Sequence, residues 1–165
     1  EVQDILRSSD ALTGAYGRAR LLPELREWRE LAKRNVQQCC IVFMDLDHLK
    51  EINDTHGHAV GDRVLAGAVG YVIGHLRPYD KVFRYGGDEF AIVYETDDAS
   101  SIGLVDRIDA ALALPFAISA GVSVSCAASI GYADTATVTG GAAELVAAAD
   151  GAMYRVKRAR RAAVR

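Results

Sequence analysis

Apolar residues along this chain of 165 positions fall into separate helical and extended rhythms. Leu21, Leu22, Leu25, Trp28 and Ala32 recur every three or four positions, with Pro23 in a first turn that tolerates it. That spacing predicts an amphipathic helix ending near Arg34 or Asn35. The run Cys39-Cys40-Ile41-Val42-Phe43-Met44 has no polar member, as expected of a strand buried on both faces, and it ends in Asp45-Leu46-Asp47. A polar loop over 48–58 is expected next. After Gly61-Asp62 a long helix to about Leu76 is expected, with Val60, Val64, Ala68 and Val72 on one face and Leu65 and Val69 beside it.

Residues 81–85 and 90–94 are rich in β-branched and aromatic side chains and flank Gly86-Gly87. They predict a hairpin, its glycines supplying positive φ in a tight turn. Ile102, Val105, Ile108 and Leu112 predict a helix capped by Asp97 or Asp98, with Pro115 ending it. Val122, Val124, Cys126, Ala128 and Ile130 alternate with small or polar residues, which predicts one strand closed by Ser129-Ile130-Gly131-Tyr132. Gly140-Gly141 precedes a final helix whose apolar face is Leu145, Ala149, Met153 and Val156. On another face of it stand Asp150, Tyr154, Lys157 and Arg161, the last two one turn apart. Helices between strands, with one antiparallel hairpin, imply an α/β fold with a mixed sheet surrounded by helices.

The length suits one domain, and 50% apolar with 25% charged residues is an ordinary globular profile. With a net charge of −3 nothing global argues for nucleic-acid binding, and no nucleic-acid polymer is expected as a partner. The basic cluster Arg155, Lys157, Arg158, Arg160, Arg161 and Arg165 also suits a helix end favoured by the macrodipole. Cys39, Cys40 and Cys126 show no metal-ligand spacing and read as buried, reduced thiols of a cytoplasmic domain. No apolar run nears the ~20 residues that span a bilayer, and no signal peptide is visible. The chain opens on Glu1 rather than Met, so a longer protein is expected. Residues 1–9 read as the end of an upstream linker or helix and 10–165 as the domain. A sensor, dimerisation or membrane-attached region would lie upstream.

Asp88 and Glu89 directly follow the Gly-Gly turn, and Asp45 and Asp47 end the first strand. On adjacent strands the four carboxylates converge and repel one another unless a divalent cation neutralises them. Hard oxygen donors favour Mg²⁺ or Mn²⁺ over zinc. The competing role for the strand-end acids is capping of the next helix. Asp10, in Asp10-Ala11-Leu12-Thr13-Gly14, can hold a turn by bonding backbone donors ahead of it. For His56 and His58, hydrogen bonding or packing is the expected role. Arg77-Pro78-Tyr79-Asp80 reads by default as an exposed ion pair.

Arg84-Tyr85-Gly86-Gly87-Asp88-Glu89-Phe90 resembles the signature of the GGDEF family of diguanylate cyclases. Asp10-x-Leu12-Thr13-Gly14 is similar to that family's opening turn. Asp45-Leu46-Asp47-x-x-Lys50-x-Ile52-Asn53-Asp54-x-x-Gly57-His58-x-x-Gly61-Asp62 resembles its strand and loop motif, and Asp150-x-Ala152-Met153-Tyr154-x-x-Lys157 its terminal helix. The resemblance covers nearly the whole chain. It implies a fold like the palm of polymerases and nucleotidyl cyclases, and conversion of two GTP into cyclic di-GMP and two pyrophosphates by an antiparallel homodimer. It implies two Mg²⁺ or Mn²⁺ ions per site, held by Asp45, the Leu46 carbonyl and Asp88, with Asp88 and Glu89 catalytic. Asn53 and Asp62 would read guanine. Lys157 and Arg161 would grip the terminal phosphates, with Lys50 among the substrate-binding residues in no sharper role. Arg77 and Asp80 match an inhibitory site for the product. Leu49 stands where the family usually has Phe, and Arg160-Arg161-Ala162 replaces Gly-Arg-Asn, which leaves the phosphate-gripping register open between Arg160 and Arg161. The alternative is a catalytically silent receptor for GTP or cyclic di-GMP.

Overall fold

The computed structural model describes residues 9–96 and 101–164. A five-stranded sheet is ordered β1 (Tyr16–Gly17), β3 (Lys81–Arg84), β4 (Glu89–Thr96), β2 (Gln38–Leu46), β7 (Ala128–Asp134). All pairings are antiparallel except β1 with β3, so the sheet is mixed as expected. Its helices are α1 (Leu21–Arg34), α2 (Leu49–His56), α3 (His58–Gly74), α4 (Ser101–Leu112) and α5 (Ala142–Ala163).

Strand β2 is central because it can be buried on both sides. Side chains alternate between faces along a strand. Cys40, Val42, Met44 and Leu46 therefore join the core beneath α2, α3 and α4, while Cys39, Ile41 and Phe43 join the one beneath α1 and α5. The first core takes Ile52, Val64, Ala68, Val72, Ile108 and Leu112; the second takes Leu21, Leu25, Leu145, Ala149 and Met153. The three cysteines are buried and none is in a disulfide, and burial pushes the Cys39 thiol up to about 12 and that of Cys126 to about 11. Among the described residues no helix is long and apolar enough to cross a membrane.

Four sequence expectations need correction. The polar loop over 48–58 is mostly the helix α2: Leu49 and Ile52, one turn apart, pack into the core while its polar residues face outward. Gly57, at φ 90°, breaks the chain there, and α3 starts at His58 rather than after Asp62. The single strand expected over 122–132 is two. β6 (Val122–Val124) pairs with β5 (Phe116–Ser119) in a separate hairpin turning at Gly121 (φ 77°), and the main sheet resumes only at Ala128. Alternation continues through 125–127, which hid the break. Finally, neither Gly86 nor Gly87 adopts a left-handed φ; a Cβ would meet nothing within 4 Å at Gly87 and only contact Glu89 at Gly86. The expected capping by Asp97 or Asp98, the side chain of Ile102, residues 1–8 and Arg165 lie outside the described residues.

Candidate active site

Strand pairing brings the acids together. In the β2–β4 register Asp45 lies opposite Glu89, and the Leu46 amide donates to the Asp88 carbonyl at 3.1 Å. Asp45 is only 2% exposed. Lys157, on α5, donates to its Oδ2 at 2.5 Å, while Oδ1 is buried and accepts no hydrogen bond among the described residues. Asp47 is engaged differently: its amide donates to the Ala127 carbonyl at 2.8 Å, and its carboxylate accepts from the Ser129 hydroxyl at 2.8 and 3.1 Å and from Arg160 at 3.0 Å. His48 then takes φ 62°, turning the chain from the strand into α2. A left-handed backbone at a non-glycine residue is uncommon and marks a turn held by its surroundings.

The hairpin turn is clamped from below. The Tyr85 and Gly86 amides both donate to the Glu89 carbonyl, at 2.8 and 3.1 Å. Arg84 donates from Nε to the Gly86 carbonyl at 3.3 Å and from Nη2 to that of Gly87 at 2.8 Å. Its Nη1 donates to Asp10 Oδ1 at 2.9 Å, and Asp10 Oδ2 accepts from the Thr13 amide and hydroxyl at 2.9 and 2.6 Å. Burial would raise the Asp10 carboxyl, but the Thr13 and Arg84 hydrogen bonds outweigh it and hold it below its ordinary value. The opening turn is thus keyed to the hairpin. Sequence reasoning gave Arg84 no role of its own; its place directly before the Gly-Gly turn was the available signal.

Negative charge accumulates here. Burial, with the charges of Asp88 and Asp47, pushes the Asp45 carboxyl above its usual range against the pull of Lys157. Burial and the charges of Asp45, Asp150 and Asp88 do the same to Glu89. Asp150, on α5, is therefore part of the electrostatics; sequence reasoning placed it on the helix face of Lys157 and in the terminal-helix motif but gave it no role. A partnerless, buried carboxylate oxygen among like charges fits a hard divalent cation. Among the described residues no group of three or more His, Cys, Asp or Glu side chains makes a complete cage, so a bound ion would draw donors from Asp45, the Leu46 carbonyl, Asp88 and its ligand.

A cleft in two adjoining lobes has Asp88 where they meet, while Asp45 lines neither. One lobe, of about 450 Å³, is lined by Leu49, Lys50, Asn53, His58, Asp62 and Asp88, among others. The other, of about 690 Å³, shares Leu49, Lys50 and Asp88 with it and adds Asp47, Lys157, Arg160 and Arg161. The structure therefore gathers Asn53, Asp62, Lys50, Asp88, Lys157 and Arg161 around two adjoining lobes. Glu89 lines neither lobe. Arg77 and Asp80 are elsewhere, at two smaller cavities of about 180 and 420 Å³ that share no residue with the cleft. There Asp80 accepts from the Arg77 amide at 2.9 Å and its Nε at 3.3 Å, and Arg77 also donates to the Glu95 carbonyl.

Asn53 reaches across to α3, where a Cβ on Gly61 would lie 1.6 Å from its Oδ1. The obstruction is the tip of a flexible side chain, so Gly61→Ala should fold normally but swing the Asn53 amide away. We expect guanine-nucleotide affinity to fall about tenfold, the worth of one or two good hydrogen bonds. Calorimetric titration beside a melting curve checks this; unchanged affinity would remove Asn53 from the binding surface.

A family model described as "Diguanylate cyclase, GGDEF domain" matches residues 7–163. Diguanylate cyclase TpbB of Pseudomonas aeruginosa (strain UCBPP-PA14) is 37% identical over 151 residues, covering 90% of this chain and 35% of that protein. The chain thus spans about a third of the length of this curated relative. The solved GGDEF domain of TpbB, or YfiN, from Pseudomonas aeruginosa (PAO1) superposes with a TM-score of 0.87 at 37% identity, covering 92% of this chain and 89% of that one. The GGDEF domain of DgcB from Caulobacter crescentus, solved in complex with c-di-GMP, gives a TM-score of 0.83 at 25% identity, covering 93% and 91%.

Proposed function

This chain belongs to the GGDEF family of diguanylate cyclase domains, and on that premise we propose that residues 10–165 condense two GTP into cyclic di-GMP, releasing two pyrophosphates, between two antiparallel copies. The observation that carries the reading is the two-lobed cleft, whose lobes share Leu49, Lys50 and Asp88. It runs from Asn53 and Asp62, past Asp88, to Lys157 and Arg161. Its first lobe takes the base: a carboxylate such as Asp62 accepts from guanine N1–H and N2–H₂, donors that adenine lacks. Its second lobe takes the triphosphate, against Lys157, Arg161 and the amides of the turn after Asp47.

Asp45 Oδ1, the Leu46 carbonyl and Asp88 would hold Mg²⁺ or Mn²⁺, which would supply charge neutralisation of the triphosphate and make the attacking hydroxyl easier to deprotonate. Asp88 and Glu89 place carboxylates where that 3′-hydroxyl loses its proton. Its oxygen then bonds to the α-phosphorus of the other nucleotide, and the bond to the bridging oxygen breaks, releasing pyrophosphate. One cleft orients one nucleotide, so each 3′-hydroxyl needs a second copy to aim it. An upstream dimerising region would then set the rate.

Concentrated protein, shown to be dimeric, is incubated with Mg-GTP and the products weighed by mass spectrometry. Cyclic di-GMP and pyrophosphate are expected, and excess chelator should abolish both. Absence of pyrophosphate would shift the reading to the silent receptor, and a 3′,5′-cyclic mononucleotide to another palm enzyme.

Arg77 and Asp80 are assigned to product inhibition, their mutual pair opening to receive cyclic di-GMP. With Arg77→Ala the initial rate should hold within about twofold, since neither residue lines the cleft, and half-inhibition should need roughly tenfold more product. An unchanged inhibition curve would count against the assignment.

A further inference from the structure

Arg160 is held by oxygens from three parts of the fold. Its Nη1 donates to Asp47 Oδ2 at 3.0 Å and to the Ala128 carbonyl at 2.5 Å, and its Nη2 to Asp109 Oδ1 at 3.3 Å. Asp47 belongs to the turn after β2, Ala128 opens β7, and Asp109 lies on α4. Asp47 is gripped from its other side by Ser129 and Ala127, so the contact with Arg160 completes its surroundings. Arg161 lines the same cleft, is exposed, and makes no hydrogen bond or ion pair among the described residues. The neighbours on α5 thus differ sharply: one guanidinium is occupied by protein oxygens and one is free.

We propose that Arg160 is a positioning residue. It fastens the last turns of α5 to the acidic turn after β2, and so fixes the gap across which Lys157 and Arg161 face that turn. Both carboxylates that end β2 are then bound by α5 cations, Asp45 by Lys157 and Asp47 by Arg160. A guanidinium is a rigid planar fork able to serve several acceptors at once; an ammonium group on a flexible stem is not. Arg160 acts through Asp47 and Ala128, and Arg161 is left as the cation for a bound anion. The ligand half of this inference rests on the nucleotide reading of the cleft; the tie itself does not.

Amide hydrogen exchange on the ligand-free protein tests the tie. In Arg160→Ala, exchange at 158–163 and at Asp47 and His48 should rise about tenfold, with 145–153 unchanged. Mg-GTP titrations of the same variants test its consequence. Arg160→Ala should bind roughly tenfold more weakly, and Arg160→Lys should stay impaired because it restores the charge without the fork. In an Asp47→Ala background, replacing Arg160 should add little, as expected of groups acting together. Wild-type affinity in Arg160→Lys, simply additive losses, or unchanged exchange would overturn the proposal. Failure of the wild type to bind Mg-GTP would overturn the nucleotide reading instead, and the exchange result would still decide whether the tie exists.

Discussion

Replacing Asp88 with Ala is expected to lower cyclic di-GMP formation by about 10³-fold, the scale of losing a principal electrostatic group from an active site. Stability should stay within about 0.5 kcal/mol of wild type. The separation follows from how Asp88 is used. Its contribution to the fold is a backbone carbonyl that accepts from the Leu46 amide, which Ala retains. Its side chain faces the cleft where the two lobes meet. Asp45→Ala is a poorer experiment, because it would strand the Lys157 ammonium without its partner and mix a structural loss with a chemical one. Pyrophosphate release measured beside a urea titration checks the claim for Asp88. Activity within tenfold of wild type would end its assignment as metal ligand and catalytic carboxylate.

Gly131→Ala should destabilise the domain by about 3 kcal/mol or more, the upper range for overpacking a core. Helix α5 crosses β7 so closely at this point that an added Cβ would fall 2.0 Å from the Met153 nitrogen and 2.7 Å from the Ala149 carbonyl oxygen. Both obstacles are backbone, so no rotamer change relieves the clash; the helix must lift off the sheet. The same helix carries Lys157 and Arg161, so activity should fall with stability. Urea unfolding is the direct measurement, and a loss under about 1 kcal/mol would show that α5 can shift without penalty.

Burial on both faces made β2 easy to read, since a strand without polar members would leave apolar side chains in water anywhere but the middle of the fold. The amphipathic helices α1, α3 and α5 were legible for the same reason in reverse. The convergence of Asp45 with Asp88 and Glu89 also followed, because acids at a strand end and at a hairpin tip meet once the strands pair. The region between them was harder. Leu49 and Ile52 give only one helical repeat in α2, too little to stand out from polar neighbours that favour turns. β1 has two residues and pairs through its backbone, which leaves no side-chain rhythm. The break between β6 and β7 was masked by continuing alternation. Arg84 and Arg160 were illegible as ties because their partners, Asp10, Asp47, Ala128 and Asp109, lie far away in sequence. Position in the chain does not report such distant acceptors.

The ion pair between Lys157 and Asp45 has a consequence for the order in which ligands assemble. One ammonium group cannot neutralise a buried carboxylate and hold a triphosphate together. If Lys157 turns to a nucleotide as proposed, Asp45 would need another positive charge, and a divalent ion at Asp45 would release Lys157. On the proposed reading, ion and nucleotide would be cooperative ligands, each raising the other's affinity by the same factor. The Lys157–Asp45 pair would then hold the ligand-free domain at rest, and the domain would act as a coincidence detector that answers to neither ligand well until both are present.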